Sequence, residues 1–182
     1  KEYRVANIPA ILDVENTGHH KSGKSEKIIL MYAGSVGRKD YLDIILAGLS
    51  LLCEEDLEKI EFRIFGATLD EIKDSFGIEI LDKVCSSVKC YGRVPRDVVL
   101  KNLEDADFTV LMRSSTHRYA KAGFPTVVVE SLASATPVIC NLTSDLADYI
   151  ADGYNGVVVN SENAEDFNQL TCLSEVEIRL LL

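Results

Sequence analysis

The sequence predicts an α/β fold in which one parallel sheet is covered by helices on both faces. Three observations predict it. Strand-type and helix-type segments alternate about six times, and parallel strands joined by helical crossovers are the economical solution to that order. The strand segments are mostly continuous apolar runs, as in KIILMYA at 27–33, which a sheet buried on both faces calls for. A length of 182 residues at 47% hydrophobic content suffices for one well-cored domain and hardly for two.

Residues 14–26 (VENTGHHKSGKSE) are polar and read as a solvated loop. Residues 27–33 form an apolar run ending at Gly34, a buried strand. Residues 41–53 (YLDIILAGLSLLC) place apolar side chains at helical spacing, with Asp40 as the candidate N-cap. Residues 60–65 (IEFRIF) alternate and stop at Gly66, which makes a second strand; 68–76 and 79–85 read as short helical turns. A short strand at 88–91 is closed by Gly92, and Pro95 opens a helix running to about Ala106, since its missing N–H costs nothing in the first turn. Residues 107–112 (DFTVLM) are a buried strand, and 113–123 an irregular polar stretch with the character of a functional loop. A helix over 124–135 opens at Pro125, and TPVIC at 136–140 is a strand. A helix capped by Ser144 runs over 144–152 and ends at Gly153; GVVV at 156–159 is the last strand, with helix from Ala164 onward. The order is that of a doubly wound, Rossmann-like α/β sandwich. Its ligand belongs outside the carboxyl ends of the strands, near the point where strand order reverses.

Charge and composition exclude several functions. Against 19 Lys+Arg stand 29 Asp+Glu, net −10, which argues against nucleic acid, because phosphate backbones need a basic face. A small phosphorylated ligand needs only one or two cations and some backbone N–H groups. The apolar runs are too short to span a bilayer, and the opening KEYRVANIPA lacks the apolar stretch of a signal peptide. The chain opens without Met, so an upstream segment is expected. The five cysteines (Cys53, Cys85, Cys90, Cys140, Cys172) are scattered and form no C-x-x-C. Most sit in apolar stretches and read as buried thiols in the reducing cytoplasm.

One motif is a decoy. Residues 18–25 (GHHKSGKS) fit the phosphate-binding pattern G-x-x-x-x-G-K-[ST], but that mechanism needs a strand before the loop and a helix after it. Here a strand follows, so the match reads as chance, and His19 and His20 as solvated loop residues.

Three segments are better candidates. In Gly34-Ser35-Val36-Gly37-Arg38-Lys39-Asp40, glycines permit close backbone approach and two cations precede a helix, which suits a diphosphate; the alternative is a plain strand-to-helix turn with solvated charges. In Gly123-Phe124-Pro125-Thr126, the free N–H groups of a helix start can face an anion. Glu130, in the otherwise apolar VVVESLA, is a costly carboxylate unless hydrogen-bonded, and ribose hydroxyls are suitable donors; the alternative is a solvated helix face. Arg113, Arg118 and Lys121 lie upstream of that anion site, where His117 is an acid–base candidate, against the reading of a charged surface loop.

Together these segments resemble the donor-binding half of GT-B glycosyltransferases of the large retaining group called group 1 or family four. The resemblance is carried by YAGSVGRKDYLD at 32–43, FRIFGAT at 62–68, VKCYGRVPRDVVLKNLEDADFTVLMR at 88–113 and AGFPTVVVESLASATPVICNLTSDLADYIADGYNGVVV at 122–159. It looks most like enzymes that assemble bacterial surface polysaccharides. It implies two Rossmann-like domains, the first for acceptor and the second for nucleotide sugar, and this chain resembles the second. ANIPAILDV at 6–14 is similar to the interdomain connector. The expected division is therefore connector and polar loop at 1–26 and donor-binding domain at 27–182, with the acceptor domain upstream and absent.

Residue by residue, the resemblance implies that Arg38 and Lys39 are catalytic cations holding the donor diphosphate; the family's usual Gly-Arg is Gly34-Ser35 here. Gly66 matches the glycine ending the second strand. Arg93 and Val94 match the base contact, and Gly123, Phe124 and Pro125, with Thr126, the loop facing diphosphate and sugar. Glu130 matches the second glutamate of the family's E-x7-E motif, which holds the ribose. The first glutamate's place is taken by Ala122.

The implied function is transfer of a sugar from a nucleotide-diphosphate donor to a glycan or lipid-linked glycan, with retention. No cofactor and no metal are implied, since no Asp-x-Asp cluster stands out. The implied setting is the cytoplasm, with the full-length protein at the cytoplasmic face of the inner membrane. The alternatives are a nucleotide-sugar epimerase of the same architecture and a non-catalytic nucleotide-binding module. A dehydrogenase-type cofactor domain ranks low, because the first turn lacks the third glycine of G-x-G-x-x-G.

Overall fold

The computed structural model describes residues 26–37, 39–118, 124–160 and 162–171. Among them six strands form one sheet: β1 (Ile28–Ala33), β2 (Ile60–Phe65), β3 (Val88–Gly92), β4 (Phe108–Leu111), β5 (Val138–Cys140) and β6 (Gly156–Val158). Their order is β3-β2-β1-β4-β5-β6, and every adjacent pair is parallel. The expected doubly wound sheet is therefore present. Its order reverses between β1 and β4, which places the crevice outside their carboxyl ends.

The helices are α1 (Leu42–Leu49), α2 (Glu54–Leu57), α3 (Leu69–Phe76), α4 (Ile78–Val84), α5 (Arg96–Asp105), α6 (Thr126–Ala133) and α7 (Ala164–Thr171). The continuous apolar run of β1 feeds both faces, because successive side chains point to opposite sides. Leu30 and Tyr32 join the core built with Leu42, Ile45 and Leu46 of α1 and Phe167 of α7. Ile29 and Met31 join the opposite core with Leu103 of α5. Further along that second face, Val127 and Val128 of α6 pack on Leu111, Val138 and Cys140.

Several expectations need correction. The helix expected over 41–53 stops at Leu49, where Ser50 turns its hydroxyl onto the Ala47 carbonyl at 2.7 Å. Cys53 is extended (ψ 161°) and begins the separate turn α2. Asp40 does not cap α1: Tyr41 holds that position without a side-chain bond, and Asp40 pairs with Arg113 instead. The helix over 144–152 is a single 3-10 turn, Leu146–Asp148, preceded by Ser144 at φ +55°. Asn155 explains it, accepting from the Ala151 N–H and donating to the Tyr149 carbonyl, both at 2.8 Å. Such side-chain bonds take the backbone groups a longer helix would use. Cys53 and Cys85 are exposed rather than buried. Cys140 is buried, which pushes its thiol pKa up to about 12. Cys172, the connector and the decoy motif lie outside the described residues.

Candidate functional site

The loops at the carboxyl edge are tied together through their backbones. The Gly34 N–H donates to the Phe65 carbonyl at 3.0 Å, the Gly66 N–H to that of Gly92 at 2.7 Å, and the Gly92 N–H to that of Ala67 at 3.0 Å. Gly66 has φ +93°, and a Cβ there would collide with the Gly34 carbonyl. Glycine is needed at Gly66 on both counts. The turns after β1, β2 and β3 thus meet as bare backbone.

Side chains lock the crossing between β1 and β4. Arg113 donates from Nε to Asp40 Oδ1 at 2.8 Å, with side-chain exposures of 8% and 12%. The Arg113 N–H donates to Asn141 Oδ1 at 2.8 Å, and Asn141 Nδ2 donates back to the Arg113 carbonyl at 2.6 Å. Buried Tyr32 lies beneath this pair and donates to the Ser35 carbonyl at 3.3 Å. Burial first, then the Asp40 charge, pushes its phenol well above the usual range. Outside the pair, Glu162 accepts from the Ser115 N–H at 2.6 Å and the Tyr41 hydroxyl at 3.0 Å. Burial would raise its pKa, but the bonds from Ser115 and Tyr41 prevail and lower it.

A cleft of about 240 Å³ opens between these turns and α3, lined by Ser35, Val36, Gly66, Glu71, Asp74, Ser75 and Arg93. Arg93 is its cation. Glu71 is engaged at the start of α3, accepting from the Thr68 N–H at 2.8 Å and hydroxyl at 3.2 Å in a capping box.

Beyond β4, α6 starts after Pro125 with no side-chain cap and no acidic residue in its first turn. The N-cap residue thus supplies no side-chain bond to the first N–H groups, and the helix dipole presents its positive end there. Pro125 is buried and Thr126 exposed. Phe124 meets Tyr149 edge-on, with ring centroids 4.8 Å apart. Ser131, on the next turn, is anchored by a 2.8 Å bond to the Thr136 carbonyl and lies 2.7 Å from the Thr109 hydroxyl. Glu130 does not stand alone: Arg96 approaches Oε1 with Nε at 2.9 Å and Nη2 at 2.8 Å, at side-chain exposures of 64% for Arg96 and 14% for Glu130.

The structure thus brings Gly66 and Arg93 to one cleft, with Gly34 packed against Gly66 behind it and exposed Lys39 on the turn after β1. Val94, half-buried, packs its side chain against the core beneath α5. Arg113 is no surface cation, being buried on Asp40. Arg118 is exposed, and His117 Nδ1 lies 2.8 Å from the Ser114 hydroxyl. Arg38, Lys121, Ala122 and Gly123 lie outside the described residues. Sequence reasoning missed Arg96, Asn141 and the Asp40 pairing. The one available signal was Arg96 itself, a cation at the positive end of a helix.

Among the described residues no three His, Cys, Asp or Glu side chains converge as a metal site. Asp105-Ala106-Asp107 is an Asp-x-Asp in sequence, but Asp107 accepts the Ile29 N–H at 2.8 Å at the amino end of the sheet, opposite the cleft. No helix among the described residues is long and apolar enough to cross a membrane.

Comparison with known proteins agrees with this architecture. The family model "Glycosyl transferases group 1" matches residues 15–171. An uncharacterized glycosyltransferase of Methanocaldococcus jannaschii is 28% identical over 130 residues, 63% of this chain and 36% of that protein. Among solved structures, HepE of Anabaena in complex with UDP and glucose superposes with TM-score 0.64 at 13% identity, covering 86% of this chain and 41% of that one. WaaG, a glycosyltransferase involved in lipopolysaccharide biosynthesis, gives 0.65 at 19% identity, covering 87% and 41%. TarM of S. aureus, solved with UDP, gives 0.66 at 20% identity, covering 93% and 33%. The chain spans 36% of the archaeal relative and 33–41% of these solved chains.

Proposed function

This chain belongs to the group 1 glycosyltransferases, whose family model spans residues 15–171, and from that premise we propose that it is the donor-binding half of a retaining enzyme. The observation that carries the reading is the carboxyl edge of the sheet. There the cleft lined by the turns after β1, β2 and β3 shares one edge with Lys39 and, across the reversal of strand order, with the start of α6.

Each residue has a place in the proposal. Lys39 and Arg38 neutralise the diphosphate, with the N–H groups at Gly123, Phe124 and Thr126 and the α6 dipole facing it. Gly34 and Gly66 let the backbone come close. Pro125 sets the entry angle of α6 beside the sugar. Arg93 and the backbone at Val94 take the base, and Glu130 accepts the ribose hydroxyls. Arg113 serves by holding the β1 turn through Asp40.

In the reaction, the bond between the sugar's anomeric carbon and the diphosphate oxygen breaks. The acceptor hydroxyl forms the new bond on the same face and releases its proton to solvent. The nucleoside diphosphate leaves with its added negative charge. This half stabilises that charge with fixed cations and dipoles, which are worth most where the charge develops, and no metal is invoked. That HepE and TarM were solved with UDP supports a nucleotide sugar as donor. The acceptor, a glycan or lipid-linked glycan, would be held by a preceding domain. Action in the cytoplasm, at the inner face of a bacterial membrane during polysaccharide assembly, suits the unbridged Cys53, Cys85, Cys90 and Cys140.

Calorimetry of the chain with UDP, GDP, ADP and their sugars tests this. At least one nucleoside diphosphate is expected to bind without any sugar transfer. Absence of binding throughout the panel, or transfer by the chain alone, would refute the reading.

A further inference from the structure

We propose that Arg96 is a positioning residue for Glu130: by clamping one carboxylate oxygen it presents the other to the ribose of the bound nucleotide. The inference rests on the reading above that Glu130 accepts the ribose hydroxyls.

The geometry is one-sided. Nε and Nη2 of Arg96 both reach Oε1 of Glu130, at 2.9 and 2.8 Å, and Oε2 takes no hydrogen bond among the described residues. The carboxylate is largely withdrawn from solvent while the guanidinium stands mostly in it. Burial therefore does not force Arg96 into the pair. Local rules do not place it there either. Arg96 is the first residue of α5, where a cation opposes the helix dipole. Positions that break a local rule without local compensation are where a tertiary or functional role is expected.

The clamp also has a consequence. A free glutamate side chain samples several rotamers, and each must be given up when ribose binds. Two bonds from a rigid planar guanidinium to one oxygen fix the side chain beforehand. Oε2 keeps both its lone pairs, so vicinal hydroxyls meet a preset acceptor. Arg96 directly follows Arg93, Val94 and Pro95, so the clamp links the base-side turn to the ribose-side helix.

The test titrates the intact chain and its Arg96→Ala, Arg96→Lys and Glu130→Gln variants with UDP, GDP and ADP and with their 2′,3′-dideoxy counterparts. Arg96→Ala is expected to weaken the preferred ribonucleotide about five-fold, equivalent to about 1 kcal/mol, while the dideoxy form changes little. Arg96→Lys restores part of the difference, since a point charge cannot reproduce the fork. An equal loss for both nucleotides would show a merely structural or general charge effect and overturn the proposal. No change, or tighter binding on removing Arg96, would overturn it too, the latter by making Arg96 a competitor of the ribose. Glu130→Gln separates the two levels. If it leaves the ribo-to-dideoxy ratio untouched, the ribose reading fails and the Arg96 proposal with it. If it collapses that ratio while Arg96→Ala does not, the Arg96 proposal alone fails.

Discussion

The crossing of the β1 and β4 turns and the seam between α5 and α6 each carry an arginine–carboxylate pair, yet only in the first are both partners largely withdrawn from water. At the crossing, Arg113 is buried and Asp40 mostly so, and Asn141 holds the Arg113 backbone, with Tyr32 below. Every member there depends on the others, because removing one strands a polar group in a low-dielectric place. At the seam, Arg96 can swing into solvent, leaving only Glu130 to be satisfied. The difference teaches that the two halves of the candidate site are stabilised differently. The crossing fixes backbone shape around the glycine turns of the candidate site, and the seam holds a carboxylate in place at little cost to stability if its partner is lost.

The largest expected effect tests the sealed side. Arg113→Ala should cost about 3–5 kcal/mol of stability, the usual result of leaving a buried charge without its partner. Urea denaturation measures it, and adding Asp40→Asn should return part of the loss. A cost under about 1 kcal/mol would mean that the crossing is as soft as an exposed ion pair, and the contrast would collapse.

The seam should answer in binding rather than stability. Glu130→Gln keeps shape and one acceptor but loses charge, so nucleoside diphosphate affinity should fall roughly ten-fold, about 1.4 kcal/mol. Stability should move by less than about 1 kcal/mol, because Arg96 is solvated once released. Equal affinities on titration would return Glu130 to the role of a helix-surface residue.

The smallest effect sharpens the boundary of the sealed region. Glu162, bonded to Ser115 and Tyr41, has a folded-state pKa below its ordinary 4.5. Its contribution is therefore full above the ordinary value and is lost as pH falls through the lower folded value. Thermal melts from neutral pH down to about pH 3 should show a shallower acid decline for Glu162→Gln than for the parent. Identical slopes would show that this rim adds nothing to the crossing.

Much of the fold was legible because its signals are local. The strand at Ile60–Phe65 matches its sequence reading to the residue, since an alternating run stopped by a glycine needs no distant partner to be recognised. The apolar run before Gly34 likewise announced a strand buried on both faces, and the cores on either side of β1 show why. The failures have distant causes. Asp40 has the chemistry of an N-cap, but the Arg113 guanidinium 73 residues away is the stronger partner. Ser144 has a cap's chemistry too, yet Asn155 takes the backbone groups a helix would have used. Cys53 follows Leu51 and Leu52 and Cys85 follows Val84, yet both face solvent, because exposure depends on which side of a turn is packed.

The sequence by itself determined the class of fold, the order of strands and helices, and the glycine turns of the candidate site. Those follow from periodicity, glycines and proline positions, which act within a few residues. Only the tertiary structure decided which charges are free to act. It placed Arg113 on Asp40 and Arg96 on Glu130, left Lys39 and Arg93 exposed, and set the Gly66 backbone against Gly34. Ion pairing and burial depend on which elements the sheet order makes neighbours, and no local pattern encodes that choice.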